Sequence, residues 1–246
     1  MIKICIISAG EDKILERFIE SLNFIKEEFH CYILRNTPTQ VDVSGNGNIT
    51  MKTVPNHNYR EAGRIQLLKL RVESVEMSNP QEGDIVMLGD DDMIFENGVG
   101  LLPAIDLLEN KGIDFIVGRD VPAPLFWNSC LSTGIYHGHL FKYKKNVWEK
   151  IKEFQEFYGG GEDGIIAALH YKYAGGMCLQ INLPKVVHVG YNSFAYTQHR
   201  EDRKSIAWLL NYHPEFTMNV YDQEIFRKFN AIKNELTAPT PKLFVV

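Results

Sequence analysis

What this chain lacks narrows it first. No apolar run approaches the length of a membrane-spanning helix. The N-terminus runs straight into a strand pattern, Ile2-Lys3-Ile4-Cys5-Ile6-Ile7, which is too short for a signal h-region and has no cleavage site. The four cysteines, Cys5, Cys31, Cys130 and Cys178, form no CxxC pair and no zinc spacing, which argues against a disulfide scaffold or a zinc module. Cys5 and Cys31 fall in strand-like runs and read as reduced core residues. Net charge is −5, so no overall basic field draws the chain to nucleic acid or anionic lipid, although a local basic patch stays open. Internal repeats, low-complexity tracts and clear linkers are absent. A soluble, cytoplasmic protein is expected, and nothing in the sequence sets its oligomeric state.

Apolar residues make up 45% of the 246, enough for a sizeable packed core. The first half alternates strand and helix. Strand Ile2–Ile7 ends at Ser8-Ala9-Gly10. A helix is predicted from about Asp12 to Phe29, with Ile14, Leu15, Phe18, Ile19, Leu22 and Ile25 at helical spacing. Strand Cys31–Leu34, a Pro/Gly/Asn-rich loop over Thr37–Asn48, strand Ile49–Val54 and a helix from Glu61 to about Met77 follow. This βαβ rhythm predicts an α/β fold with a mainly parallel sheet flanked by helices. Ligands of such sheets bind outside the carboxyl ends of the strands.

The second half is less regular. Helices are predicted at Val99–Asn110, Asn146–Phe157 and Gly164–Tyr173, and strands at Phe115–Val117, Leu140–Tyr143, Leu179–Leu183 and Val186–Val189. Asp120–His139, with two prolines, Trp127, Tyr136, His137 and His139, reads as a binding loop. Those rings could form a platform for a sugar or a base, or simply pack. The tail is read as a helical extension. Its polar segment Gln198–Lys204 could contact an anionic acceptor or be a solvated helix start, and Tyr191, Tyr196, Tyr212 and Tyr221 could cover a site.

Three segments carry chemistry. In Ile85-Val86-Met87-Leu88-Gly89-Asp90-Asp91-Asp92 an apolar strand stops at three carboxylates. Like charges this close raise one another's pKa values, so a cation among them is the natural partner, and hard oxygen ligands favour a divalent ion. A solvated acidic turn is the plainer alternative. In Gly159-Gly160-Gly161-Glu162-Asp163 two acids open a helix. Alone they read as caps. In Val186-Val187-His188-Val189 a histidine ends a β-branched run, either as a hydrogen-bonded strand end or as a metal ligand.

Taken in order, the three segments resemble the GT-A glycosyltransferases, especially inverting ones that use nucleotide-diphosphate sugars. The resemblance covers roughly residues 2 to 191. It rests on the strand into an Asp cluster (a DXD motif), Gly-Glu-Asp opening a helix, and Pro184 followed by His188-Val189-Gly190. It implies a Rossmann-like GT-A core over residues 1–191, with a nucleotide-binding half at about 1–95 and an acceptor half at about 96–191. Residues 192–246 would be a C-terminal extension packed on that core.

The resemblance also implies roles. Asp92 would bind the metal, Asp90 would face the ribose or the metal's water shell, and Asp91 could exchange places with either. His188 would complete the metal site. Asp163 would be the catalytic base, with Glu162 orienting the acceptor or supporting the base. Ser8, Ala9, Gly10 and Arg64 would line the nucleotide pocket. Mixed oxygen and nitrogen ligation suits Mn²⁺ better than Mg²⁺. The donor would be UDP-linked. The acceptor would be a glycan, a lipid-linked sugar or a hydroxylated base of viral DNA. Two departures bear on the nucleotide: Ser8-Ala9-Gly10 replaces a commoner Pro-containing turn, and Arg35-Asn36 stands where many members place an acid for the base. A nucleotidyltransferase, or a non-catalytic nucleotide-sugar-binding module, is the alternative. The first would favour a basic, glycine-rich loop near the N-terminus, which Ser8-Ala9-Gly10-Glu11 does not offer.

Overall fold

A computed structural model describes residues 1–9, 11–37, 39, 41–54, 60–61, 64–118, 125–126, 138–155, 162–174 and 177–189. In chain order the elements are β1 (Ile2–Ser8), α1 (Asp12–Ser21), β2 (Phe29–Arg35), β3 (Ile49–Thr53), β4 (Arg60–Glu61), β5 (Arg64–Ile65), α2 (Leu67–Met77), β6 (Ile85–Asp90) and β7 (Met93–Phe95). They continue with α3 (Leu102–Asn110), β8 (Ile113–Gly118), β9 (Leu125–Phe126), β10 (His139–Lys142), α4 (Lys145–Lys152), α5 (Glu162–Ala174), β11 (Met177–Ile181) and β12 (Val186–His188).

Eight strands form one sheet in the order β3-β2-β1-β6-β10-β8-β11-β9. The block β3-β2-β1-β6 is parallel throughout, as is β8 with β11. Strand β10 runs antiparallel between β6 and β8, and β9 antiparallel beside β11. The expected mainly parallel α/β sheet is therefore present. Every residue of β1 is buried, as befits a strand covered on both faces. Its side chains alternate between two cores. Ile2, Ile4 and Ile6 pack with Leu15 and Phe18 of α1 and Leu107 and Leu108 of α3. Cys5 joins Leu68, Val72 and Val75 of α2, Trp148 of α4 and Ile165, Ile166 and Leu169 of α5. Cys5, Cys31 and Cys178 are buried free thiols, and burial pushes Cys5 up to about 12.

Several boundaries differ from expectation. Helix α1 ends at Ser21, whose Oγ donates to Phe18 O at 2.6 Å, and the chain tightens into a 3₁₀ turn over Leu22–Phe24 rather than continuing to Phe29. Helix α2 begins at Leu67, not Glu61, because residues 60–61 and 64–65 form the β4–β5 pair. His139 lies in β10, fully buried with its ring edge-on to Phe115, and so is not part of an exposed platform. Trp127, Tyr136, His137, the glycine triplet 159–161 and the whole 192–246 extension lie outside the described residues.

Candidate active site

Strand register brings Ser8 and the start of the aspartate run to one edge. In the parallel β1–β6 pair Ile7 lies opposite Asp90, and in the β1–β2 pair Ser8 lies opposite Arg35. The ends of β1, β2 and β6 thus stand side by side at their carboxyl edge, the expected ligand position. Gly89 lies close beneath β7: a Cβ there would lie 2.5 Å from Met93 Cε and 2.9 Å from Ile6 Cδ1, two flexible side-chain ends that would have to shift. The chain turns at Asp91 and Asp92 straight into β7.

The three aspartates part company at this turn. Asp90 points to Arg71, whose Nη2 donates to its Oδ1 at 2.6 Å. Asp91, 3% exposed, accepts a 2.7 Å hydrogen bond from Ser8 Oγ, which in turn accepts one of 2.7 Å from Arg35 Nη1. Arg35 also pairs with Asp12 and donates to Thr39 Oγ1 at 2.9 Å, so the β1 exit is tied down by a buried guanidinium. Asp92 meets His188, with Nε2 to Oδ2 at 3.0 Å. That meeting is a product of backbone pairing. Strand β12 runs antiparallel to β7 with His188 opposite Met93, and the Val189 amide donates to Asp92 O at 3.0 Å.

The electrostatics follow. The hydrogen bond that His188 donates to Asp92, helped by the charges of Asp92 and Asp90 and opposed by burial, raises the His188 pKa, and a cation taking the imidazole would have to displace that proton. Burial pushes Asp90 up; Arg71 pulls it down, and the neighbouring carboxylates of Asp92 and Glu162 add to the rise. Asp92 Oδ1 is buried with no hydrogen-bond partner among the described residues. A buried carboxylate oxygen left this way is costly unless something positive meets it. One carboxylate oxygen lacking a partner, with an imidazole on the other, is a donor set a divalent cation fits. Among the described residues, no group of three or more His, Cys, Asp or Glu is placed to hold a metal ion. Cations that act on phosphates commonly take only one or two protein carboxylates and fill the rest of their sphere with phosphate and water.

Glu162 and Asp163 open α5 and are both about 6% exposed. Asp163 Oδ1 accepts the amide of the next residue, Gly164, at 2.9 Å, within the first turn of the helix, where a carboxylate is favoured. Glu162 Oε1 lies 3.4 Å from both Nε and Nη2 of Arg71. Among the remaining expected residues, Ala9 is exposed beside Ser8, Arg64 lies in β5 with its backbone opposite Glu61, and Gly10 is outside the described residues.

Sequence reading had not singled out Arg71 for the site. The sign was present: Arg71 falls on the Leu68, Val72, Val75 stripe of α2, where a cation needs acidic company to be buried. Arg35 was noted only as a departure, yet it is fully buried at the end of β2.

The sheet order, the two helical layers and the acidic strand end define a GT-A-like α/β protein. Among solved structures the chain resembles the Pyrobaculum calidifontis mannosyltransferase PcManGT in complex with GDP-Man and Mn²⁺. The TM-score is 0.59 at 13% identity, covering 98% of this chain and 76% of that one. It also resembles S. aureus TarS 1–349 (TM-score 0.53, 12% identity, 95% of this chain and 73% of that). A 4-diphosphocytidyl-2C-methyl-D-erythritol synthase from Anaerococcus prevotii matches with TM-score 0.50 at 12% identity, over 85% of this chain and 96% of that one. At these identities the likeness is one of fold. No protein-family model and no curated protein matches the chain.

Proposed function

We propose that this chain is a metal-dependent glycosyltransferase that moves a sugar from a nucleotide-diphosphate donor to a hydroxyl acceptor, with inversion. The observation that carries the reading is the buried, partnerless Asp92 Oδ1 beside His188, at the sheet edge to which the acids of α5 are tied through Arg71. Asp92 and His188 would hold the cation. A divalent ion bound there would neutralise the charge that develops on the departing diphosphate.

The chain's own residues would do the rest. Asp163 takes the acceptor's proton as the hydroxyl oxygen attacks the anomeric carbon and the bond to the phosphate breaks. Its place at a helix start supports the charge of a carboxylate, and a general base in reach contributes typically ~10²–10⁴-fold. Glu162, held by Arg71, supports that turn. Ser8 and Arg35 fix the strand end against which the nucleotide lies. Asn36, with an amide that is buried and lacks any partner, is a candidate to meet the base. Residues 1–191 would form the catalytic core and 192–246 its cover. The donor nucleotide is taken as UDP, with GDP tested beside it because the Pyrobaculum enzyme is in complex with GDP-Man.

The test is nucleotide release and thermal shift with Mn²⁺ and a panel of UDP- and GDP-sugars, with candidate glycan and hydroxylated-DNA acceptors. A donor that stabilises the fold only with metal, and is turned over, supports the reading. The likeness to the Anaerococcus synthase keeps a nucleotidyltransferase in view. Pyrophosphate release from a nucleoside triphosphate, with every sugar donor inert, would replace the proposal by that one.

A further inference from the structure

We propose that Arg71 is a positioning residue that sets where the Glu162–Asp163 turn stands relative to the end of β6; the link to transfer rests on the glycosyltransferase reading. Arg71 is 1% exposed, and its guanidinium spans three places at once. Nη1 donates to Gly89 O at 2.6 Å, Nη2 to Asp90 Oδ1 at 2.6 Å, and the Nε–Nη2 edge faces Glu162 Oε1 at 3.4 Å. The charge of Asp163 reaches it too, adding to the pull of Asp90 and Glu162. One cation therefore joins the strand that ends in the aspartates to the helix that begins with the acids.

The surrounding packing cannot perform this task. Leu68, Val72 and Val75 of α2 meet Ile165, Ile166 and Leu169 of α5 in one apolar cluster. Apolar contact is non-directional and tolerates small slides. A planar fork with fixed donor directions does not, and a lysine's single ammonium cannot reproduce those directions. Arg71 acts through Glu162, so its loss should displace the base rather than remove a group that touches substrate.

The test compares Arg71→Met, Arg71→Lys and Glu162→Gln with the wild-type chain. Amide exchange over residues 162–169 should quicken about tenfold or more in Arg71→Met, in keeping with the loss of hydrogen bonds to charged groups, while β1 amides stay protected. Arg71→Lys should fall between and serves if Arg71→Met does not fold. On an identified donor, kcat should drop by about 100-fold with donor KM within about threefold. Glu162→Gln should add little on top of Arg71→Met. Unchanged exchange over 162–169 in a folded variant, or independent and additive effects of the two sites, overturns the proposal. A wild-type chain that turns over no sugar donor defeats the transferase reading alone, and the exchange result still decides the role of Arg71.

Discussion

Asp92→Asn is the substitution that bears most directly on the cation. It keeps the side chain's shape and removes its charge. In the metal-free protein the 3.0 Å contact to His188 would lose one of its two charges. At an effective dielectric near 20 that attraction is ~5 kcal/mol before desolvation, and the net worth of a hydrogen bond between charged groups is about 1.5–3 kcal/mol. Relief of repulsion with Asp90 works the other way, so the variant should remain folded. The larger effect is on ligand linkage. With Mn²⁺ and donor at about 100 times their dissociation constant, binding stabilises the wild-type chain by ~2.7 kcal/mol. For a chain of this size that is a rise in Tm of ~5–11 °C. Asp92→Asn should lose nearly all of it, while nucleotide without metal gives the same small shift in both proteins. Scanning fluorimetry with and without EDTA reads the difference. A full metal-dependent shift in Asp92→Asn would refute the placement of the cation at this carboxylate.

Three further outcomes are expected. Asp163→Asn should keep the metal-dependent donor shift and lose transfer by about 10²–10⁴-fold; transfer at the wild-type rate would exclude Asp163 as base. Asn36→Leu removes a buried amide with both polar atoms unsatisfied, so the ligand-free chain should gain ~1 kcal/mol in urea denaturation while donor KM rises about tenfold or more; a destabilised variant with unchanged KM contradicts this. His170 is fully buried against Phe115 and Phe141, and burial, with the charges of Lys144 and His139, pushes it down from 6.5 to about 3. The unfolded chain binds this proton below about pH 6.5 and the folded chain only near pH 3. Stability should therefore fall as pH drops through that window, by up to ~1.4 kcal/mol per pH unit, and His170→Phe should lessen the slope. An identical slope in both proteins would show that His170 is not its source.

Features set by local pattern were legible before any coordinates. The apolar run Ile2–Ile7 became a strand buried on both sides, and the alternation of strand and helix became a sheet covered by two helical layers. The strand ending at Asp90 and the histidine ending β12 were readable for the same reason. Features set by distant partners were not. Helix α2 starts late because residues 60–61 pair with 64–65 instead of coiling, which periodicity cannot detect. Strand β10 reverses direction between two neighbours, a property of topology rather than of its own residues. The separate fates of Asp90, Asp91 and Asp92 depend on Arg71, Ser8 and His188, each far away in sequence.

The short ribbon of β7 and β12 has a consequence for how the protein is made. Asp92 is translated well ahead of its imidazole, which arrives only with the last strand described, in a two-stranded sheet separate from the main one. A nascent chain stalled ahead of residue 186 would hold the aspartates without the histidine. On the proposed reading, an ion held by Asp92 and His188 would be taken up only after residue 188 is made, and could not nucleate the sheet.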